Sequence, residues 1–171
     1  MSFNEKVGIV TGGGSGLAEA TAKMLAARGA KIVVADANEA GAERVAAEIR
    51  KAGGQAAAIV CDISKLSDVE RLVPFAVKTF GGLHMAFNVA GITPKLIETH
   101  RIDTEDWMRV IGVNLTGTFF CMRAEIAHFL DHGGGAIVNM ASTAGIQAHP
   151  ARAAYSASKH GIVGFDAQCG G

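Results

Sequence analysis

With 171 residues, 49% hydrophobic and 19% charged, the chain has room for one domain with a buried core and lacks the composition of a disordered protein. Its 16 basic and 16 acidic residues cancel and form no basic run, which argues against a nucleic-acid partner. No apolar run approaches the ~18 residues of a membrane span, and Met1–Lys6 lacks the basic and apolar parts of a signal peptide, so a cytoplasmic protein without a membrane partner is expected.

In chain order, β-branched apolar runs alternate with longer alanine-rich stretches. Strands are predicted at Val7–Thr11, Lys31–Ala35, Ala56–Cys61, His84–Asn88 and Gly135–Ala141. Helices are predicted at Gly16–Arg28, Glu39–Lys51, Ser67–Phe80 and over a long segment from Thr104 to about Leu130. In the second helix Ala42, Val45, Ala46 and Ile49 fall on one face. Gly29, Gly53-Gly54, Gly81-Gly82 and Gly133–Gly135 punctuate the element ends. Strand–helix–strand repeated in this way predicts an α/β fold, a doubly wound parallel sheet of Rossmann type, in a single domain over residues 1–171. Cys61, Cys121 and Cys169 are odd in number and carry no paired metal-ligand spacing, so reduced thiols are expected.

Thr11-Gly12, Asp36, Asp62, Asn88 and Ser142 each fall at or just beyond the carboxyl end of a successive strand. Open α/β sheets bind ligands outside those ends. Each residue taken alone could be a turn former or a helix cap; together they predict a binding crevice. Thr11-Gly-Gly-Gly-Ser-Gly-Leu-Ala18 joins the first strand to the first helix. Its glycines let backbone approach a pyrophosphate, and the helix N-terminus offers free N–H groups and partial positive charge. Asp36 ends the second strand, where a carboxylate can accept from both adenosine ribose hydroxyls and repel a 2′-phosphate. No Arg or Lys stands at Ser15 or Ala37 to receive that phosphate. NAD is therefore expected over NADP.

The single tyrosine, Tyr155, precedes Lys159 by four residues. Positions i and i+4 share a helix face, so the Lys159 ammonium can lie beside the Tyr155 hydroxyl. One cation about 4 Å away, at an effective dielectric near 20, favours the tyrosinate by roughly 4 kcal/mol. Such a phenol can move a proton on or off a substrate oxygen.

With these pieces the chain resembles the short-chain dehydrogenase/reductase family from Lys6 to about Phe165. Thr11-Gly12-x-x-x-Gly16-x-Ala18 is similar to the family's Thr-Gly-x-x-x-Gly-x-Gly, with Ala18 for the last glycine. Asn88-Val-Ala-Gly91 is similar to its Asn-Asn-Ala-Gly, with Val89 for the second asparagine. Asp62-Ile63 stands where the family contacts adenine, and Asn114, Ser142, Tyr155 and Lys159 match its catalytic tetrad in order and spacing. The resemblance implies hydride transfer between a nicotinamide cofactor and an alcohol or carbonyl substrate. Tyr155 would exchange the proton, Lys159 would assist it and bind the nicotinamide ribose, Ser142 would hold the substrate oxygen, and Asn114 would shape a helix and a water path. Thr11, Gly12, Ser15, Gly16, Leu17, Asp36, Asp62, Ile63, Asn88, Ala90 and Gly91 would bind the cofactor with Tyr155 and Lys159.

Members of that family continue through two further strands, whereas here the pattern runs to Phe165 and breaks into Asp-Ala-Gln-Cys-Gly-Gly171. A Rossmann domain lacking its last strands is expected, with little or no turnover. The alternative reading is a catalytically silent fragment that binds nucleotide or pairs with a full-length subunit. A homo-oligomer through the long helix of residues 104–130 is implied by the resemblance, with Trp107 and Phe119-Phe120 in core or interface. Cys121, Glu125, His128 and His132 share one helical stripe, which a dipole-stabilised helix end explains better than a metal site. Ile92, Thr93, Gln147 and His149 are expected to border the substrate.

Overall fold

A computed structural model describes the backbone of residues 2–169 and the side chains of residues 2–165. Five parallel strands form the sheet: β1 (Val7–Thr11), β2 (Lys31–Asp36), β3 (Gln55–Val60), β4 (Met85–Asn88) and β5 (Ala136–Asn139). Their order is β3-β2-β1-β4-β5. The chain winds outward from β1 through β2 to β3, then returns to the other side of β1. That reversal opens a crevice beyond the carboxyl ends of β1 and β4.

Strands β1 and β2 are buried on both faces, which is why they read as unbroken apolar runs. Val10, Ile32 and Val34 point to one face, where they pack with helices α1 (Gly16–Ala26) and α2 (Glu39–Lys51). Val7, Ile9, Val33 and Ala35 point to the other face, into a core shared with Cys61, Leu72, Cys121 and Phe129. The predicted face of α2 is the one that packs, with Ala42, Val45, Ala46 and Ile49 all buried. Gly29, Gly53, Gly81 and Gly133 adopt positive φ at the element ends, the left-handed turn that a Cβ disfavours.

The predicted helix Ser67–Phe80 is two helices, α3 (Leu66–Val69) and α4 (Leu72–Phe80). Pro74 explains the break: it has no N–H to donate to the carbonyl four residues back, and it is tolerated only in a first helical turn, its place in α4. The long helical segment is also interrupted. Helix α5 (Thr104–Ile111) leads into a widened π turn over Gly112–Gly117 and then α6 (Thr118–Asp131). The Thr118 hydroxyl donates to the Asn114 carbonyl at 2.8 Å within that turn. Helix α7 spans Ala153–Cys169, and the sequence break expected at Asp166–Gly171 lies outside the described side chains. Strand β3 lies one residue before its predicted bounds, because pairing with β2 ends at Asp36 opposite Val60. Among the described residues no helix is long and apolar enough to cross a membrane.

Candidate active site

A crevice of about 670 Å³ lies over the carboxyl ends of the strands. Its lining brings together Gly12, Ser15, Gly16, Leu17, Asp36, Asp62, Ile63, Ala90, Gly91, Ser142, Tyr155 and Lys159, residues from 12 to 159 in the sequence. Ile92 and Thr93 also line it; Gln147 does not, and His149 instead approaches the Thr143 hydroxyl at 3.4 Å. Thr11, Asn88 and Asn114 are buried beneath the crevice rather than facing it.

One end of the crevice is the glycine loop. Ser15 begins α1 without capping it through its side chain, so the first-turn N–H groups are left for a partner in the crevice. A Cβ on Gly16 would meet nothing within 4 Å, while one on Gly12 would lie 2.8 Å from Ala90 Cα. Gly12 therefore lets two loops touch, and Gly16 leaves open space against the helix N-terminus. Asp36 pins this loop: its carboxylate accepts from the Gly14 N–H at 2.9 Å and from the Asn38 N–H at 2.8 Å. On the loop's far side Arg44 donates to the Gly14 carbonyl at 2.9 Å and pairs with Glu19 and Glu48. Arg44 has no motif to announce it; only the packing of α2 on the loop brings the two together. These carboxylates raise the Arg44 pKa, so its charge is committed to protein partners. Asp62 is held below the usual carboxylate range chiefly by the Ser64 hydroxyl, with its oxygen accepting from Ser64 Oγ at 2.7 Å. Ile63 sits close because Gly117 has no side chain; a Cβ there would lie 2.8 Å from Ile63 Cγ1.

Thr11 fastens the middle of the crevice. Its hydroxyl accepts from the Val89 and Ala90 N–H groups at 3.1 and 3.3 Å. Asn88 bridges elements, donating to Glu125 Oε2 at 2.9 Å and to Asn139 Oδ1 at 3.0 Å. Asn114 clasps Ile92 through two bonds: Oδ1 accepts from its N–H at 2.8 Å, and Nδ2 donates to its carbonyl at 3.0 Å. Nδ2 also reaches Ser158 Oγ at 3.3 Å, which ties the π turn to α7. All three are builders of the crevice floor.

The other end carries the tyrosine–lysine pair. The Lys159 ammonium lies 5.7 Å from the Tyr155 ring centroid and donates to the Met140 carbonyl at 2.6 Å. Helical spacing alone placed it beside the hydroxyl; a buried ammonium needs an acceptor, and the end of β5 supplies one. Burial pushes the Lys159 pKa down. Ser142 Oγ accepts from the Ala144 N–H at 3.2 Å, which leaves its own O–H available. The Tyr155 hydroxyl has no partner among the described residues and faces the crevice. One acceptor and donor of each kind thus converge on a space able to hold a polar oxygen.

The stripe on α6 divides by depth. Cys121 and Glu125 are buried against the sheet, while the His128 and His132 rings stack with centroids 4.0 Å apart near its opposite end. Among the described residues no group of three His, Cys, Asp or Glu side chains could hold a metal ion.

Comparison with known proteins gives consistent matches. The family model described as short chain dehydrogenase matches residues 6–170. Cyclohexanol dehydrogenase of Acinetobacter sp. (strain SE19) is 45% identical over 163 residues, covering 95% of this chain and 65% of that protein. A 2,5-dichloro-2,5-cyclohexadiene-1,4-diol dehydrogenase of Sphingobium indicum is 41% identical, covering 92% of this chain and 62% of its own length. Among solved structures, levodione reductase superposes with a TM-score of 0.92 at 34% identity, over 95% of this chain and 64% of that one. A short chain dehydrogenase/reductase from Burkholderia phymatum in complex with NAD superposes with a TM-score of 0.94 at 34% identity, over 99% of this chain and 60% of that one. The chain thus spans less than two thirds of the length of these relatives.

Proposed function

The chain belongs to the short-chain dehydrogenase family, and from that premise we propose that it is built for NAD-dependent interconversion of a secondary alcohol and its ketone. The observation that carries the proposal is the meeting of the uncapped α1 N-terminus, Asp36, Ser142, Tyr155 and Lys159 around one crevice. The residues fit a dinucleotide. Gly16 leaves open space at a helix N-terminus suited to a pyrophosphate, Asp36 offers a carboxylate for ribose hydroxyls, and Asp62 with Ile63 forms the wall for an adenine. Thr11, Gly12, Ser15, Leu17, Asn88, Ala90 and Gly91 complete this half, some by contact and some by holding the loops. Asp36 disfavours a 2′-phosphate by charge, and Arg44 is already engaged by Glu19 and Glu48, so NAD is the preferred cofactor.

When bound, the nicotinamide supplies the two-electron chemistry. The protein's part is the proton and the positioning. Ser142 Oγ–H donates to the substrate oxygen, and Tyr155 Oη takes the proton from the alcohol or returns it to the carbonyl. Lys159, anchored by the Met140 carbonyl, holds its ammonium by the Tyr155 ring, next to the group that exchanges the proton. Asn114 holds Ile92 and the π turn in place and so shapes the wall behind Lys159. The names of the relatives, cyclohexanol dehydrogenase and a cyclohexadiene-diol dehydrogenase, point to a ring-borne secondary alcohol as substrate. A second copy of the chain is the proposed partner for the helical segment of residues 104–130, where Trp107 and Met108 on α5 and Phe119 on α6 are exposed.

The test is an NADH fluorescence titration followed by NAD reduction with cyclohexanol. We expect binding that weakens in Asp36→Ala, and a low parent turnover that falls further in Tyr155→Phe, by up to the ~10²–10⁴-fold a general acid–base group contributes. Binding without turnover would keep the nucleotide half of the proposal and overturn the catalytic half. Folded protein that fails to bind NADH would overturn both.

A further inference from the structure

Among the described residues, the most deeply buried acidic side chain plays no part in the proposed hydride transfer. Glu125, in α6, is 1% exposed and lies against the carboxyl ends of β4 and β5. One of its oxygens, Oε2, accepts from Asn88 Nδ2 at 2.9 Å, and the same Nδ2 donates to Asn139 Oδ1 at 3.0 Å. The remaining atoms of the pair are the anomaly. Asn88 Oδ1 and Glu125 Oε1 are both buried, and neither has a hydrogen-bond partner among the described residues. Both are acceptors, so the pair is short of one donor. Buried acceptors without a donor are rare and costly. A carboxylic acid and a carboxamide are chemically matched to remove this deficit. The amide N–H binds one carboxyl oxygen, and a proton on the other oxygen supplies the missing O–H donor.

The charged groups nearby do not offer another solution. The titratable side chains on elements packed against α6 are Cys61 after β3, Asp68 on α3, Lys78 on α4 and His84 before β4. Asp68 is engaged by Arg71 and the Asp62 N–H, His84 by the Val7 N–H, and Lys78 is exposed. On α6 itself Cys121 is a buried thiol whose proton burial retains. Among the described residues no cation holds Glu125 as a carboxylate: burial pushes its carboxyl up to about 7, opposed by the Asn88 hydrogen bond.

We propose that Glu125 is a positioning residue acting as a neutral carboxylic acid, whose proton on Oε1 completes the Asn88–Glu125 pair and fixes the ends of β4 and β5 beneath the crevice. The route to the crevice is short. The Asn88 carbonyl accepts from the Met140 N–H at 2.9 Å, and the Met140 carbonyl holds the Lys159 ammonium at 2.6 Å. The proton is taken from solvent on folding and is lost again when Glu125 ionises. The arrangement is independent of cofactor, so it stands or falls separately from the proposed activity.

The test measures urea unfolding of the whole chain from pH 5 to pH 8, for the parent protein and Glu125→Gln. Glutamine keeps the shape and supplies a permanent donor. With a folded value of about 7 against the ordinary 4.5, the parent's unfolding constant should rise about fortyfold more than that of Glu125→Gln between pH 5 and pH 7. In the parent, the NMR resonances of the Asn88 side-chain amide and the Met140 backbone amide should shift together with a midpoint near 7, a measurement that needs no variant to fold. Parallel pH dependence in the two proteins would overturn the proposal. So would Asn88 and Met140 resonances that stay fixed across this range.

Discussion

Replacing Thr11 with valine tests whether the crevice is held by a single hydroxyl. Thr11 is buried, and its Oγ1 accepts from the N–H groups of Val89 and Ala90 while lying 3.5 Å from the Phe87 carbonyl to which it donates. Valine fills the same volume, so no cavity is made, but the hydroxyl is gone. The Val89 N–H keeps a second acceptor, the Phe87 carbonyl at 3.1 Å. The Ala90 N–H keeps none among the described residues. Leaving one partly buried donor unpaired costs about 1–3 kcal/mol, and weakening the shared bond adds about 0.5 kcal/mol. Extra burial of a methyl returns up to ~0.8 kcal/mol, so the net loss is about 2 kcal/mol. Serine at the same position keeps all three bonds and removes only a buried methyl, a loss of about 1 kcal/mol. Urea unfolding followed by circular dichroism measures both variants. With slopes of ~1–3 kcal/mol per molar urea, the valine midpoint should fall by about 1 M and the serine midpoint by about half of that. A valine variant as stable as the parent, or a serine variant less stable than the valine one, would refute this account of the loop.

Asp36→Asn keeps an acceptor for the Gly14 N–H but removes the charge, so the ratio of NADPH to NADH affinity should rise about tenfold, equivalent to ~1.4 kcal/mol; an unchanged ratio in competition titrations would remove Asp36 as the discriminating charge. Gly117→Ala places a methyl 2.8–2.9 Å from Ile63, its backbone carbonyl included; a loss of about 1–3 kcal/mol in urea unfolding is expected, as for other overpacked sites. The Cys61 thiol is pushed up to about 12 by burial. The folded state therefore keeps this proton where the unfolded chain loses it, and stability should fall as pH rises from about 9 to 12. At pH 8, labelling of Cys61 by a thiol reagent should be slow in the native protein and fast in urea.

The fold was legible chiefly because β1 and β2 sit in the middle of a parallel sheet. Residues buried on both faces leave unbroken apolar runs such as Val7–Val10 and Ile32–Ala35, and glycines mark the turns between. The break within Ser67–Phe80 follows from Pro74, which the apolar spacing of that segment does not reflect. The π turn at Gly112–Gly117 carries no local signature, because its widening depends on Asn114 reaching Ile92 and Ser158 in other elements. Long-range partners were illegible for the same reason. Helical spacing could bring Lys159 near Tyr155, yet only the finished fold delivers the Met140 carbonyl to its ammonium. Glu125 shared a stripe with Cys121, His128 and His132 in the sequence, and the periodicity of a helix does not say which turns lie under a sheet. Its burial against Asn88 is a tertiary fact.

This division extends to the polar residues at the strand ends, which looked alike in the sequence. Asp36, Asp62 and Ser142 present atoms to the crevice, whereas Thr11, Asn114 and the Asn88 amide nitrogen spend their hydrogen bonds on backbone and side chains beneath it. The physical distinction is what remains unsatisfied. Thr11 and Asn114 have donors and acceptors that are already paired, so they have little to offer a ligand directly and much to lose on substitution. A facing residue retains free lone pairs or a free O–H. Substituting a builder should therefore register first in unfolding free energy and only then in ligand affinity. Substituting a facing residue should change affinity at nearly constant stability. Asp36 is the informative exception, since its carboxylate both faces the crevice and anchors Gly14 and Asn38. Asp36→Ala should lose stability and NADH affinity together, and Asp36→Asn should separate the two.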